Sequence, residues 1–292
     1  MQLYFNGRIL PAEEVKLSPF EHGFMYGLGA FETIRLYNGH PFLLADHHRR
    51  LSHALEVMNI AWTVTVEEMK DQIAETAAAN ETANASIRYN VSAGEGPAGL
   101  TTAVYDKPTT LIYTKPLNPQ AMPQEKYGQL LSLRRNTPES KERIKSHHYL
   151  NSILGRREVG QAQDREGIFL TENGYISEGV VSNIFWMYGT TLYTPTLETG
   201  ILDGVTRRFV MKLAKEAGFS VKTGFYEWQE LEQADEAFMT NSIQEIVPLA
   251  AVGAATFTNR RTKEIRRLYQ TFRDQLWSRD EMQLTGPFGD WG

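Results

Sequence analysis

The sequence contains no cysteine. This absence excludes disulfide bonds, metal sites built on thiolates and any cysteine nucleophile. No apolar run approaches the ~20 residues that a membrane-spanning helix needs. The first residues, MQLYFNGRILP, lack the basic segment followed by an apolar one that is typical of a secretory signal peptide. We therefore expect a soluble, cytoplasmic protein.

Clustered positive charge is missing as well. The net charge is -5, and the 30 Lys and Arg residues are scattered along the chain. The sequence therefore does not indicate a basic surface that would bind nucleic acid. The composition, with 41% hydrophobic and 22% charged residues, is close to that of an average globular protein. A chain of 292 residues with this composition predicts one large domain or two of ordinary size.

Turn and helix signals predict a mixed α/β first half. Asn-Gly pairs at 6–7 and 38–39 each lie between apolar runs, which predicts two hairpins. Apolar periodicity predicts helices over about 45–60 and 66–79. Strands are then predicted at ASIRYNVSA and TTLIYTK.

Three prolines in KPLNPQAMPQE interrupt both helix and sheet patterns. We predict a linker over 116–124 between an N-terminal α/β domain, 1–115, and a C-terminal domain, 125–292. In the second domain, strands at GIFLT, VSNIFWMY and EAFMTNS alternate with helices at YLNSILGRREV, 206–217 and 262–277. The polar tail from Ser278 is expected to be loosely held.

Lys145 in RIKSHHYLNS directly precedes the apolar-periodic segment that begins at Tyr149. It could be a solvated residue at a helix start or a reactive amine, and the segment alone leaves both open. His147 and His148 suggest a metal site at first sight. Adjacent residues on a helix point about 100° apart, however, so the pair does not converge on one ion.

A carboxylate and two polar turns follow. Glu178 in NGYISEGVVSNIFW could close a turn, or could keep a pyridine nitrogen protonated so that the ring accepts electrons. TGILDGVTRRF combines a tight turn with a helix start, where backbone N–H groups at Val205 and the Thr206 hydroxyl suit a phosphate, although threonine is also a common helix cap. The turn TNS, ending at Ser242, offers similar donors.

These segments occur in one order along the chain. Together with YGLGAFETIR and HHRRL, they closely resemble the fold-type IV pyridoxal-phosphate (PLP) family, which includes branched-chain and D-amino-acid aminotransferases and 4-amino-4-deoxychorismate lyases. The resemblance implies a two-domain α/β (α+β) fold with a smaller N-terminal α/β domain and a larger, β-rich C-terminal domain. It also implies a homodimer with PLP as cofactor.

The resemblance implies a role for each matching residue. Lys145 would form the Schiff base with PLP and shuttle protons, and Glu178 would pair with the pyridine nitrogen. Tyr149 would contact the phenolic oxygen, although its spacing from the lysine is one residue shorter than in branched-chain enzymes. The phosphate would be bound by Arg50, Val205, Thr206 and Ser242.

Within the family, FET at Phe31 and TNS resemble the lyases, whereas Leu28 stands where many members have aspartate. The resemblance therefore implies a lyase that forms 4-aminobenzoate and pyruvate for folate biosynthesis, with a D-amino-acid or branched-chain aminotransferase as the alternative. The two carboxylates of such a substrate need cationic partners. Arg88 is the first candidate, although it could equally be a solvent-facing strand residue. Further candidates are Arg35, Arg143 and His22.

Overall fold

A computed structural model describes residues 1–118 and 124–284. The chain divides into two compact units. The first contains the described residues 1–118 with Ile144–His148 and Arg273–Glu281, and the second contains 124–143, Tyr149–Phe272 and 282–284. Residues 119–123 of the predicted linker lie outside the described residues, so the linker stays a prediction.

A six-stranded sheet forms the first unit, with the strand order β2-β1-β6-β5-β3-β4. Both Asn-Gly pairs adopt the positive φ angles that favour such turns: 46° and 88° at 6–7, and 50° and 86° at 38–39. The two predicted hairpins are therefore confirmed. The strands are β1 Gln2–Phe5, β2 Arg8–Pro11, β3 Gly29–Tyr37, β4 His40–Pro41, β5 Ala85–Ser92 and β6 Thr109–Pro116.

Helices α1 His22–Tyr26, α2 Leu44–Val57 and α3 Val66–Ala79 complete this unit. Helix α3 has the predicted bounds, because the Thr65 side chain caps its N-terminus in a reciprocal capping box with Glu68. Helix α2 ends three residues earlier than predicted. Apolar residues of α2, α3 and the sheet share one core, which includes Ile34, Leu51, Met69, Ile73, Ile87 and Tyr89.

Two segments from later in the chain also pack in the first unit. Residues 144–148 run beside β3, where Phe31 N donates to Lys145 O at 3.0 Å and His147 N donates to Gly29 O at 3.0 Å. Residues 273–281 are held by α2, since Arg279 N donates to Asp46 Oδ2 at 2.8 Å. The chain from Ser278 to Glu281 is thus anchored, which corrects the expectation of a tail that is loose from Ser278.

The second unit contains a nine-stranded sheet in the order β12-β11-β10-β13-β14-β7-β8-β9, with β15 paired to β14. Three of its strands match the predicted ones, and its β-rich character agrees with the expected C-terminal domain. The strands are β7 Lys126–Leu130, β8 Arg165–Leu170, β9 Ile176–Gly179, β10 Asn183–Tyr188, β11 Thr191–Pro195, β12 Ser220–Gly224, β13 Glu236–Asn241, β14 Glu245–Val252 and β15 Ala255–Thr256.

Four helices belong to the second unit: α4 Leu150–Val159, α5 Val205–Glu216, α6 Trp228–Glu232 and α7 Arg260–Phe272. Helix α4 buries Ser152, Gly155 and Val159. Its larger apolar residues face outward, with Leu150 66% and Ile153 46% exposed. Helix α7 ends at Phe272 rather than at the predicted 277. No helix among the described residues is long and apolar enough to cross a membrane.

Candidate active site

Glu178 lies at the end of the second-unit strand β9 and is 3% exposed. Its Oε1 accepts a hydrogen bond from Arg135 Nε at 2.9 Å and forms an ion pair with Arg135 Nη2 at 2.7 Å. Its Oε2 accepts from Leu202 N at 2.9 Å and from Asn183 Nδ2 at 3.4 Å. The carboxylate is therefore held in one orientation by donors on both sides.

Two arginines beside Glu178 were not assigned to this place from the sequence. Arg135 was not singled out, and Arg143 was considered only for the substrate. Arg143 Nε lies 3.7 Å from Glu178 Oε1. Burial, together with the neighbouring charge of Arg135, lowers the pKa of Arg143 to about 10. Two arginine side chains thus lie beside this carboxylate.

The predicted anion site is formed by the N-terminus of α5 and the turn after β13. No side chain caps α5, whose first N–H groups have no acceptor within the helix. Thr206 Oγ1 donates to Ser242 Oγ at 3.5 Å. The turn is held by Asn241, whose Oδ1 accepts from Ile243 N at 3.0 Å and Gln244 N at 2.7 Å. The structure therefore brings Val205, Thr206 and Ser242 together.

In the first unit, the buried ring of Phe31 gathers three basic side chains. Lys145 Nζ lies 4.4 Å from the ring centroid and Arg88 Cζ lies 3.6 Å from it. His147 stacks on the same ring with centroids 6.2 Å apart. Arg88 is exposed and donates through Nε to Asn90 Oδ1 at 3.0 Å. The candidate reactive amine and the candidate substrate-binding cation thus share one aromatic surface.

Burial, with a smaller contribution from the charge of Arg88, lowers the pKa of His147 to about 4. The imidazole is therefore neutral at pH 7. His147 and His148 precede α4 rather than lying on it, which corrects the helical placement used in the sequence argument. No group of three or more His, Asp or Glu side chains suited to a metal ion occurs within 1–118 and 124–284.

Arg50 on α2 forms a bidentate ion pair with Glu32 on β3. Arg50 Nε and Nη2 donate to the two carboxylate oxygens at 2.7 and 2.6 Å. His47 Nδ1 contributes a third hydrogen bond to Glu32 Oε2 at 2.7 Å. Burial alone would raise the pKa of Glu32, but the charges of Arg50 and His47 outweigh it and lower that pKa to about 2.

The remaining candidates have simpler surroundings. Tyr149 occupies the N-cap position of α4, where its carbonyl accepts from Ile153 N at 3.0 Å. His22 is fully buried, with Nδ1 2.7 Å from Tyr105 Oη and Nε2 3.0 Å from Pro97 O. Arg35 is buried and lies over the ring of Tyr37. Leu28 packs against the apolar core of the first unit.

These residues fit a phosphorylated pyridine. The uncapped start of α5, with the Thr206 and Ser242 hydroxyls, offers donors to a phosphate. Thr240 Oγ1, near the end of β13 and next to this turn, is buried without a hydrogen-bond partner among the described residues. The buried carboxylate of Glu178 suits a protonated ring nitrogen. The second unit therefore contains groups that suit both the phosphate and the ring nitrogen of such a ligand.

Comparison with known proteins adds independent information. Residues 29–252 match the family model of the class IV aminotransferases. Over 252 residues, the chain is 49% identical to the aminodeoxychorismate lyase of Bacillus subtilis (strain 168), covering 86% of each chain. The branched-chain amino acid aminotransferase of Escherichia coli has a similar structure, with a TM-score of 0.86, 26% identity and 97% of each chain covered.

A second solved structure is the branched-chain aminotransferase of the thermophilic archaeon Thermoproteus uzoniensis with norvaline. Its TM-score is 0.82 at 27% identity, and the match covers 96% of each chain. Another branched-chain amino acid aminotransferase of similar structure, with a TM-score of 0.84 at 25% identity, is complexed with N-(5'-phosphopyridoxyl)-L-glutamate. The expected α/β fold of the fold-type IV enzymes is thereby confirmed.

Proposed function

The chain belongs to the class IV aminotransferase family, and from this premise we propose that it is an aminodeoxychorismate lyase. The enzyme converts 4-amino-4-deoxychorismate into 4-aminobenzoate and pyruvate, a step of folate biosynthesis. The observation that carries this proposal is the 49% identity to the Bacillus subtilis lyase across most of both chains. PLP is the cofactor of this family, and the enzyme is PLP-dependent.

The second unit supplies the groups that hold the cofactor. The N–H of Val205 and the hydroxyls of Thr206 and Ser242 would bind its phosphate. The proposal also keeps Arg50 as a phosphate ligand, because a guanidinium can bind two phosphate oxygens. Glu178 would accept a hydrogen bond from the ring nitrogen, and Tyr149 would contact the phenolic oxygen. When bound, PLP is an electron sink for negative charge on the carbon next to the amine nitrogen.

Lys145 carries the proton chemistry. Its amine would hold the cofactor covalently, and Nζ would accept the proton from C4 of the substrate. After this proton is lost, the bond between the substrate ring and the ether oxygen breaks, and the substrate ring becomes aromatic. The group leaves as enolpyruvate, which becomes pyruvate after protonation of its methylene carbon. Aromatisation makes the elimination favourable, so the protein mainly orients the bonds and stabilises the developing charge.

Arg88 recognises a carboxylate of the substrate. This assignment is supported by its exposure and by its position over the same Phe31 ring as Lys145. A guanidinium suits this purpose because its planar fork can donate two hydrogen bonds to one carboxylate. Asn90 restrains the Arg88 side chain through Nε.

The proposal includes a homodimer in the cytoplasm. Support for a dimer comes from helix α4, which exposes Leu150, Ile153 and Leu154 on one side. Exposed apolar groups of this kind are typical of surfaces that another protein covers. Size-exclusion chromatography with light scattering tests the dimer, and Leu154→Glu is expected to shift the mass towards that of a single chain.

A product assay tests the function. The purified enzyme with PLP receives aminodeoxychorismate, and 4-aminobenzoate and pyruvate are both quantified. We expect equimolar products, their loss in Lys145→Ala, and their retention in the control Lys141→Ala, which removes an exposed lysine from the same segment. The similarity to branched-chain aminotransferases defines the competing outcome: glutamate formed from leucine and 2-oxoglutarate, without an aromatic product, would replace the lyase by an aminotransferase.

A further inference from the structure

Lys126 and Glu166 form a buried ion pair in the second unit that the chemistry described above does not use. Lys126 Nζ lies 3.0 Å from Glu166 Oε2, and the two side chains are 13% and 6% exposed. We propose that this pair is a positioning device for the candidate phosphate site, because it fixes, through Gln244, the turn that presents Ser242. The inference rests on the proposed function, since it requires Ser242 to bind the cofactor phosphate.

One end of the pair is anchored to the loop between β9 and β10. Glu166 lies on β8, and its Oε1 accepts from Ser182 Oγ at 3.0 Å and from Val181 N at 3.4 Å. Its Oε2 accepts from Lys126 Nζ at 3.0 Å. Each carboxylate oxygen therefore has a donor, and the ammonium group of Lys126 is held against the sheet.

The other end of the pair reaches the turn after β13. Lys126 Nζ also donates to Gln244 Oε1 at 3.2 Å, and the same oxygen accepts from Asn241 Nδ2 at 3.2 Å. An ammonium group can only donate, so Gln244 must direct its amide oxygen, and not its NH₂ group, towards Lys126. Because Asn241 Nδ2 is paired in this way, Asn241 Oδ1 faces the turn and accepts from the N–H groups of Ile243 and Gln244.

The charge of Lys126 thus sets the direction of a chain of hydrogen bonds that closes the turn. Ser242 lies within this turn, and its hydroxyl is 3.5 Å from Thr206 Oγ1 at the start of α5. Without a group at 126 that only donates, the amide of Gln244 could turn over and place its NH₂ group against Asn241 Nδ2. A buried ion pair contributes little net stability, because desolvation opposes the attraction between the charges. Holding a ligand-binding turn in one shape gives this pair a function that stability does not.

The test compares two ligands that differ only in the phosphate. Cofactor-free protein is titrated with pyridoxamine 5'-phosphate and with pyridoxamine, and both association constants are measured by calorimetry. Neither ligand has an aldehyde, so neither can bind covalently to a lysine. The ratio of the two constants therefore reports the contribution of the phosphate alone.

Lys126→Met and Gln244→Met should each lower this ratio about fivefold or more, the size of effect that one lost hydrogen bond typically has. Gln244→Met changes no charge, so similar losses in the two variants distinguish positioning from a direct attraction between Lys126 and the phosphate. A loss in Lys126→Met with a wild-type ratio in Gln244→Met would overturn the proposal. Glu236→Gln, which changes another buried carboxylate of this unit, should keep the wild-type ratio.

A combination with Ser242→Ala gives a readout that a purely structural role would not change. Ser242→Ala removes the hydroxyl and should lower the ratio by itself. If Lys126 acts through this turn, Lys126→Met should cause little further loss in the Ser242→Ala background, because residues of one network are not additive. Independent losses that multiply would overturn the proposal, as would equal weakening of both ligands in Lys126→Met.

The remaining outcomes separate this inference from the proposed function. A wild-type protein that binds both ligands equally would contradict the phosphate site itself, and an unchanged ratio in Ser242→Ala would refute the role of Ser242 on which the inference depends. A lowered ratio in Ser242→Ala with wild-type ratios in Lys126→Met and Gln244→Met would overturn the positioning role alone. If Lys126→Met does not fold, Gln244→Met decides the question, since it leaves the ion pair in place. Circular dichroism establishes folding before each titration.

Discussion

Replacing Glu178 by glutamine tests the electrostatic arrangement at the end of β9. Every partner of this carboxylate described above is a donor: Arg135 on one side, and Leu202 N and Asn183 on the other. A glutamine has an acceptor at one end and an NH₂ group at the other, so one side must place a donor against a donor. The substitution also leaves two neighbouring arginines without their counter-charge.

The expected magnitude follows from this geometry. Removing one partner of a buried ion pair typically lowers the free energy of unfolding by about 3–5 kcal/mol. We expect Glu178→Gln to fall in this range for the apo protein, measured by urea denaturation. Turnover should fall by about 100-fold or more, because a preorganised charge near the reacting group contributes at least that much.

Glu236→Gln is the matched control. This carboxylate is 1% exposed and likewise accepts from donors, Thr262 N and Oγ1 at 2.8 Å each, but it caps α7 rather than contacting the candidate site. It should lose stability and keep wild-type turnover. Wild-type turnover in Glu178→Gln would refute the reasoning, as would equal losses of turnover in the two variants.

Three further predictions concern the first unit. Arg88→Met keeps a long side chain beside Phe31 but removes the charge, so the KM for aminodeoxychorismate should rise about tenfold or more. The absorbance spectrum of the cofactor should not change. An unchanged KM would show that Arg88 does not bind the substrate. His147 has a pKa of about 4 in the folded protein against 6.5 ordinarily, so the unfolded state binds its proton first as pH falls. The free energy of unfolding should therefore decrease between pH 7 and 4 by up to about 3 kcal/mol, and equal slopes for wild type and His147→Phe would contradict this. Gly94→Ala places a Cβ 2.1 Å from Lys107 O at a φ of +81°, so we expect the free energy of unfolding to fall by at least ~2 kcal/mol. This decrease should exceed that of Gly39→Ala, whose Cβ has open space at a φ of +86°. Similar melting temperatures for the two variants would contradict this prediction.

Features with local causes were predictable from the sequence. The hairpins at 6–7 and 38–39 depend on residues that tolerate positive φ, and α3 depends on a capping box within four residues. The candidate anion site could also be proposed from the sequence, because a glycine turn and a helix start are adjacent in sequence. The family resemblance added Lys145 and Glu178 as candidates, although their roles stay predictions.

Features that depend on distant residues were not predictable. Arg135 and Glu178 are 43 positions apart, and no local pattern links them. The pairing of 144–148 with β3 likewise joins remote parts of the chain. Strand β7 was missed because KYGQL has little apolar alternation. Apolar periodicity found α4 but not its orientation, since Leu150 and Ile153 face outward while Gly155 is buried.

The pairing of residues 144–148 with β3 also constrains the order of events during synthesis. The segment that carries Lys145 leaves the ribosome after all six strands of the first sheet, and residues 273–281 leave later still. The first unit therefore lacks residues 273–281 while most of the second unit is being synthesised. Contacts between such distant residues are slow to form because a long loop must close first. A nascent chain thus contains all six strands of the first sheet before it contains its candidate catalytic lysine, and the first unit is complete only after residues 273–281 have been made.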